Sequence, residues 1–135
     1  MNVDTVVLDS SVLVAIFKSE ADAPRLAEQI ISYNRKVLSA ATWLEAAIVC
    51  ESLSQRGGNE ADFNDLVSEL EIEIIPFTPE QARLAFDAFK RFGKGRGAKA
   101  ALNYGDCFAY ALAKELDAPL LFKGNDFAAT DLQRA

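Results

Sequence analysis

Four short apolar runs alternate with longer segments of helical spacing, and this alternation constrains the fold more than any other feature of the chain. Thr5-Val6-Val7-Leu8 is β-branched and uninterrupted and stops at Asp9, which suits a strand buried on both faces. Lys36-Val37-Leu38-Ser39, Glu71-Ile72-Glu73-Ile74-Ile75-Pro76 and Pro119-Leu120-Leu121-Phe122 read as three more strands, the third bounded by its proline. Between them the spacing predicts a helix beginning near Ser10 and another over about Ala21–Asn34, with Leu26, Ile30 and Ile31 on one stripe. Thr42-Trp43-Leu44-Glu45 has the capping-box pattern and opens a long apolar helix that should end before Gly57-Gly58. Asn59 can cap a helix to about Leu70. Thr78-Pro79-Glu80-Gln81 supplies an N-cap, a proline at the first helical position and a Gln at the third, for a helix to about Phe92. Gly93, Gly95 and Gly97 then force a loop, and Asn103 caps a last helix to Leu116. Helices alternating with buried strands predict a three-layer α/β/α sandwich around a mostly parallel sheet, joined by right-handed crossovers. With 135 residues, a single domain over 1–135 can bury roughly two-thirds of its unfolded surface.

Composition narrows the chemistry. There is no histidine, so imidazole general bases, His-dependent triads and HExxH zinc sites are excluded. Cys50 and Cys107 both sit inside apolar helical patterns and read as reduced core thiols. No apolar stretch approaches the roughly 20 residues that span a bilayer, and Met1-Asn2-Val3-Asp4 lacks a basic signal-peptide start. The expectation is a cytoplasmic protein with no membrane partner. Fourteen basic against 20 acidic residues give a net charge of −6, which opposes indiscriminate binding to a phosphate backbone.

Four acids stand where a core would take apolar residues. Asp9 ends the first strand, Glu45 interrupts an apolar helix, Asp106 precedes Cys107-Phe108-Ala109-Tyr110-Ala111-Leu112, and Asp126 follows the fourth strand by a short loop. Ligand sites in parallel sheets collect at the carboxyl ends of strands, and all four can project there. Each has an ordinary alternative: Glu45 as partner of Thr42 in a capping box, Asp106 as the same position after Asn103, Asp9 as a helix N-cap, Asp126 as a turn residue. Their joint placement at one sheet edge favours a shared role. Carboxylates gathered without Lys or Arg repel one another, and Mg²⁺ or Mn²⁺ relieves the repulsion while leaving room for a phosphodiester. A water acidified by such an ion would attack phosphorus in line, leaving a 5′-phosphate and a 3′-hydroxyl.

The motifs carry a family resemblance. Val7-Leu8-Asp9-Ser10-Ser11-Val12-Leu13-Val14-Ala15, Trp43-Leu44-Glu45, Leu102-Asn103-Tyr104-Gly105-Asp106-Cys107-Phe108-Ala109-Tyr110-Ala111 and Leu121-Phe122-Lys123-Gly124-Asn125-Asp126-Phe127 resemble, in order, the four motifs of PIN-domain ribonucleases, specifically the VapC-type toxins of toxin-antitoxin pairs. The resemblance implies a Mg²⁺- or Mn²⁺-dependent endoribonuclease, a homodimer, and inhibition by a VapB-type antitoxin whose C-terminal segment occupies the acidic groove. It carries over firmly to Asp9, Glu45 and Asp106. At the fourth motif Asn125 stands where many relatives have another acid, which leaves Asp126 as fourth ligand and Asp131 as a secondary candidate for metal or water contact. Ser11 can offer a hydroxyl to the site or merely cap the helix, and Thr42 reads as structural.

Lys90, Arg91, Lys94, Arg96 and Lys99 form the one sustained basic run, directly before the Asp106 helix. It is either a solvated loop or an RNA-backbone contact, with Lys94, Arg96 and Lys99 as the candidates. Leu44, Ile48, Phe63, Leu66 and Phe86 exceed what one small core needs and are expected at a dimer interface. Two rival readings remain, a catalytically silent subunit that binds RNA or protein, and a receiver-like phosphoacceptor. The second lacks an acidic pair before Asp9 and a mid-chain acceptor Asp at a strand end.

Overall fold

The computed structural model describes residues 4–53, 60–97 and 99–135. Among them four strands, β1 (Thr5–Leu8), β2 (Arg35–Ser39), β3 (Ile72–Ile75) and β4 (Leu120–Leu121), form one all-parallel sheet in the order β3-β2-β1-β4. The register pairs Val7 with Val37 on one side of β1 and with Leu120 on the other. The helices are α1 (Ser10–Phe17), α2 (Ala23–Ile31), α3 (Ala40–Leu53), α4 (Glu60–Glu69), α5 (Pro79–Phe92) and α6 (Asp106–Leu116). None of them is long and apolar enough to cross a membrane.

The period-two alternation of the strands sorts the core into two layers. Val6 and Leu8 of β1, Leu38 of β2 and Leu121 of β4 face a cluster built on α1 to α4, including Leu13, Leu26, Ile30 and Phe63. Val7, Val37 and Leu120 face the opposite cluster, built on α5 and α6 with Ala88, Tyr110 and Leu112. The expected α/β/α sandwich is therefore present, and both cysteines are buried and free within it. The sheet order puts β2 and β3 on one side of β1 and β4 on the other. The crevice of such a topology opens at the carboxyl ends of β1 and β4, where the connections diverge.

Several ends differ from the sequence expectation. Helix α2 is trimmed to Ala23–Ile31, and α3 begins at Ala40, ahead of the Thr42 expected to cap it. The Ser39 Oγ accepts from the Ala41 amide at 3.2 Å, and Thr42 is buried one turn in, its hydroxyl without a partner. The Thr42–Glu45 capping box does not form. Thr78 does cap α5, its hydroxyl accepting from the Gln81 amide at 3.1 Å, but the Gln81 side chain turns inward and donates to Glu115 instead. Gly57, Gly58 and Asn59, invoked as helix signals, lie outside the described residues.

Candidate metal centre

The β1–α1 junction places the first acid. Asp9 is only 3% exposed and is the N-cap of α1, its Oδ2 accepting from the Ser11 amide at 3.1 Å. Its Oδ1 is buried with no hydrogen-bond partner. The cap reading and the site reading thus both apply, one to each oxygen. Burial raises the Asp9 pKa, and the Asp126 charge adds to the rise against the pull of Ser11 and Ser10.

Glu45 lies one turn inside α3 and is not a cap. Its Oε1 is buried and unpartnered. Burial raises its pKa and the charge of Asp9 contributes, while the Ser10 hydroxyl opposes. A carboxylate oxygen withdrawn from water without a donor costs stability on its own account, and a cation beside it would offset that cost.

Asp106 opens α6 through a reciprocal box with Asn103. The Asn103 amide donates to Asp106 Oδ2 at 3.0 Å, and the Asp106 amide donates to Asn103 Oδ1 at 2.9 Å. Burial nevertheless raises the Asp106 pKa to about 7, helped by the charges of Asp9, Asp126 and Glu45. One cap hydrogen bond does not offset desolvation and three like charges. Asp126 is exposed on the loop after β4 and acts on both Asp9 and Asp106 through its charge.

Asp9, Glu45, Asp106 and Asp126 therefore form one electrostatic group at the carboxyl edge of the sheet. Among the described residues none of the four is in an ion pair with Lys or Arg. Nor do any three acids or cysteines there stand already in a metal-ligating arrangement. The side chains would have to draw inward, as mutually repelling carboxylates do around a cation. Two orphaned oxygens and a donor set made only of oxygen fit a hard divalent ion.

Of the two secondary candidates, Ser11 stays beside Asp9 and Asp131 is engaged elsewhere. The Ser11 hydroxyl accepts from the Lys123 amide at 3.0 Å, which ties the loop bearing Asp126 to the start of α1. Asp131 is remote from the acidic group in its partners: it accepts from Tyr110 Oη at 2.7 Å and pairs with Lys114 Nζ at 2.8 Å and Arg91 at 3.3 Å. Partial burial opposes its ionisation, but Lys114 and Tyr110 outweigh it and the pKa falls to about 2. Asp131 is thus a strut between the C-terminal segment, α5 and α6. Sequence reasoning missed Ser10 beside Glu45 and the role of Lys123, whose ammonium is held by Glu20 at 2.8 Å and Asp22 at 3.0 Å. Neither carries a sequence signal apart from adjacency to a motif.

Within the basic run the structure separates members. Arg91 is bound by Asp87 and Asp131, and the Lys90 ammonium lies 4.9 Å above the Phe86 ring. Lys94, Arg96 and Lys99 are exposed, on a loop closed by Lys94 amide to Leu102 carbonyl at 2.8 Å and Leu102 amide to Phe92 carbonyl at 3.0 Å.

The comparisons with known proteins agree with this geometry. The PIN domain family model matches residues 6–132. Ribonuclease VapC28 of Mycobacterium tuberculosis is 43% identical over 129 residues, covering 96% of each chain. Ribonuclease VapC of Mycolicibacterium smegmatis is 43% identical over 127 residues, 93% of this chain and 96% of that one. Among solved structures, VapC20 of Mycobacterium tuberculosis, a Sarcin-Ricin loop cleaving toxin, superposes with a TM-score of 0.75 at 13% identity over 96% of this chain and 98% of that one. VapBC2 from Rickettsia felis, bound to a promoter DNA fragment, gives 0.69 at 19% identity over 97% of both. From a sheet edge of clustered acids on a fully parallel α/β/α frame, and from these relatives, the chain belongs to the PIN domain family, among the VapC-type ribonuclease toxins.

Proposed function

We propose that this protein is a Mg²⁺- or Mn²⁺-dependent endoribonuclease acting as the toxin of a VapBC-type toxin-antitoxin pair. The observation that carries the site is the pair of buried, unpartnered carboxylate oxygens, Asp9 Oδ1 and Glu45 Oε1, beside an Asp106 whose pKa is raised to about 7. Asp9 and Asp106 are the principal ligands in this reading, with Glu45 and Asp126 completing the set. A bound divalent ion supplies the positive charge that these acids and a phosphodiester both lack, and it acidifies water at neutral pH. The chain's own part is positional. The Ser11 amide fixes Asp9, Asn103 fixes Asp106, and the Ser11 link to Lys123 holds the Asp126 loop at the same edge. No histidine is needed, and the 2′-hydroxyl of RNA is not the nucleophile.

The relatives' names support the ribonuclease activity, and solved neighbours that include toxin-antitoxin complexes support a VapB-type antitoxin partner. A homodimer and a cytoplasmic location complete the proposal. The test is Asp106→Asn, nearly isosteric and without the charge. Purified and folded, it should lose metal-dependent RNA cleavage, as should Asp9→Asn, while wild-type products carry 5′-phosphates. Wild-type cleavage by a pure Asp106→Asn sample would overturn the site.

A further inference from the structure

Gly105 is a glycine without a conformational reason to be one. Its φ of −65° and ψ of −36° are those of ordinary right-handed helix, a conformation that any L residue adopts. It is also buried at the N-cap of α6, directly before Asp106. What distinguishes the position is its neighbour. A Cβ added there would overlap the Oε2 of Glu45 and lie 2.7 Å from its Oε1. The Glu45 carboxylate therefore lies flat on the bare Cα of Gly105, across the gap between α3 and α6. One of its oxygens is left buried without a partner. The Ser10 hydroxyl meets the same carboxylate from the start of α1, and the three nearest atoms to the absent side chain of Gly105 all belong to Glu45.

We infer that Gly105 is a positioning residue whose missing side chain lets the Glu45 carboxylate reach the acidic group formed with Asp9 and Asp106. The inference rests on the metal-nuclease reading of this site and adds a residue that acts through another. The overlapping atoms are the far end of a flexible side chain, not backbone. A methyl group at 105 would be accommodated by swinging Glu45 away. Its cost thus falls on the position of one carboxylate and spares the fold.

The experiment is a double-mutant cycle of Gly105→Ala and Glu45→Ala read by Mn²⁺ affinity, with thermal unfolding alongside. Gly105→Ala should stay folded and unfold within about 4 °C of the wild-type temperature. It should weaken Mn²⁺ binding by roughly tenfold or more, matching Glu45→Ala, and the double variant should be no weaker than either single one. Cleavage should fall in parallel. Wild-type Mn²⁺ affinity in Gly105→Ala, or losses that multiply in the double variant, would overturn the inference. If Glu45→Ala itself binds Mn²⁺ as wild type, the metal reading of Glu45 fails, and a crystal structure of Gly105→Ala then decides this inference separately. A displaced Glu45 carboxylate supports it; an unmoved one refutes it.

Discussion

At the scale of single residues the site is a set of acids kept in an environment that disfavours their charge. Asp106 has its pKa raised to about 7, and Asp9 and Glu45 are raised by burial as well. A carboxyl whose folded pKa exceeds its unfolded value binds more protons when folded, so its contribution to stability is full below the unfolded pKa and is lost as pH rises through the folded one. For Asp106 that window runs from near 4 to about 7. The metal-free protein should therefore unfold at lower temperature at pH 8 than at pH 5, and Asp106→Asn should flatten that profile. Mn²⁺ affinity should move the opposite way, falling as pH drops through 7, because the ligands must shed protons to bind. Calorimetry without metal and Mn²⁺ titration across pH 5 to 8 check both arms. A wild-type melting temperature that rises steadily with pH would contradict the burial-driven shift. Asp9, Glu45 and Asp106 were readable as candidates because each ends, interrupts or precedes an apolar run, and Asp126 from its place in the fourth motif. Their partners were not, since Ser10 and Lys123 meet the site through folds of the chain that leave no periodic trace.

At the scale of elements the chain's period-two and helical signals located every strand and helix among the described residues, because a two-sided parallel sheet writes short uninterrupted apolar runs. Boundaries were less readable. Thr42 has the residues of a capping box, yet Ser39 at the end of β2 accepts from the Ala41 amide and starts α3 earlier. A strand that ends in serine captures the helix before the local pattern can. Asp131 shows the same limit: from sequence it is one more acid near a motif, whereas the fold brings Tyr110, Lys114 and Arg91 to it. Tyr110 is 1% exposed, and its hydroxyl donates to a carboxylate. Tyr110→Phe should therefore cost about 1.5–3 kcal/mol, the range for a hydrogen bond to a charged group. Mn²⁺ affinity should stay at the wild-type value, since the strut lies outside the acidic group. Denaturant unfolding and Mn²⁺ titration of the same variant measure the two. A large loss of Mn²⁺ binding with unchanged stability would return Asp131 to the metal site.

At the scale of the whole molecule, two surfaces remain to be used. Leu44 and Ile48 on α3 and Phe86 on α5 are 55%, 59% and 64% exposed, and large apolar side chains left open on helices favour a partner. Phe63, expected among them, is instead fully packed in the core, and Leu66 is half-buried against it, because α4 turns Phe63, Val67 and Leu70 into the cluster on that side of the sheet. Light scattering at tens of micromolar should give twice 14.7 kDa, and Leu44→Ser with Phe86→Ser should return the monomer mass. The second surface is the loop of Lys94, Arg96 and Lys99. The protein's charge of −6 repels RNA, and the candidate site is itself acidic, so a long polyanion needs a local cationic approach to reach Asp106. These three side chains are exposed and, among the described residues, in no ion pair; Arg91, by contrast, is committed to Asp87 and Asp131. The loop leads directly into α6. Replacing all three with Ser should weaken RNA binding and lower the magnitude of the salt slope by up to about three phosphate contacts, on the order of 0.7 per contact for a single strand. Mn²⁺ affinity should not change, because the shifts of Asp9, Glu45 and Asp106 arise chiefly from burial and from one another's charge. Wild-type salt dependence in the triple variant would show that the loop is only a solvated connector and that RNA approaches the acids from another face.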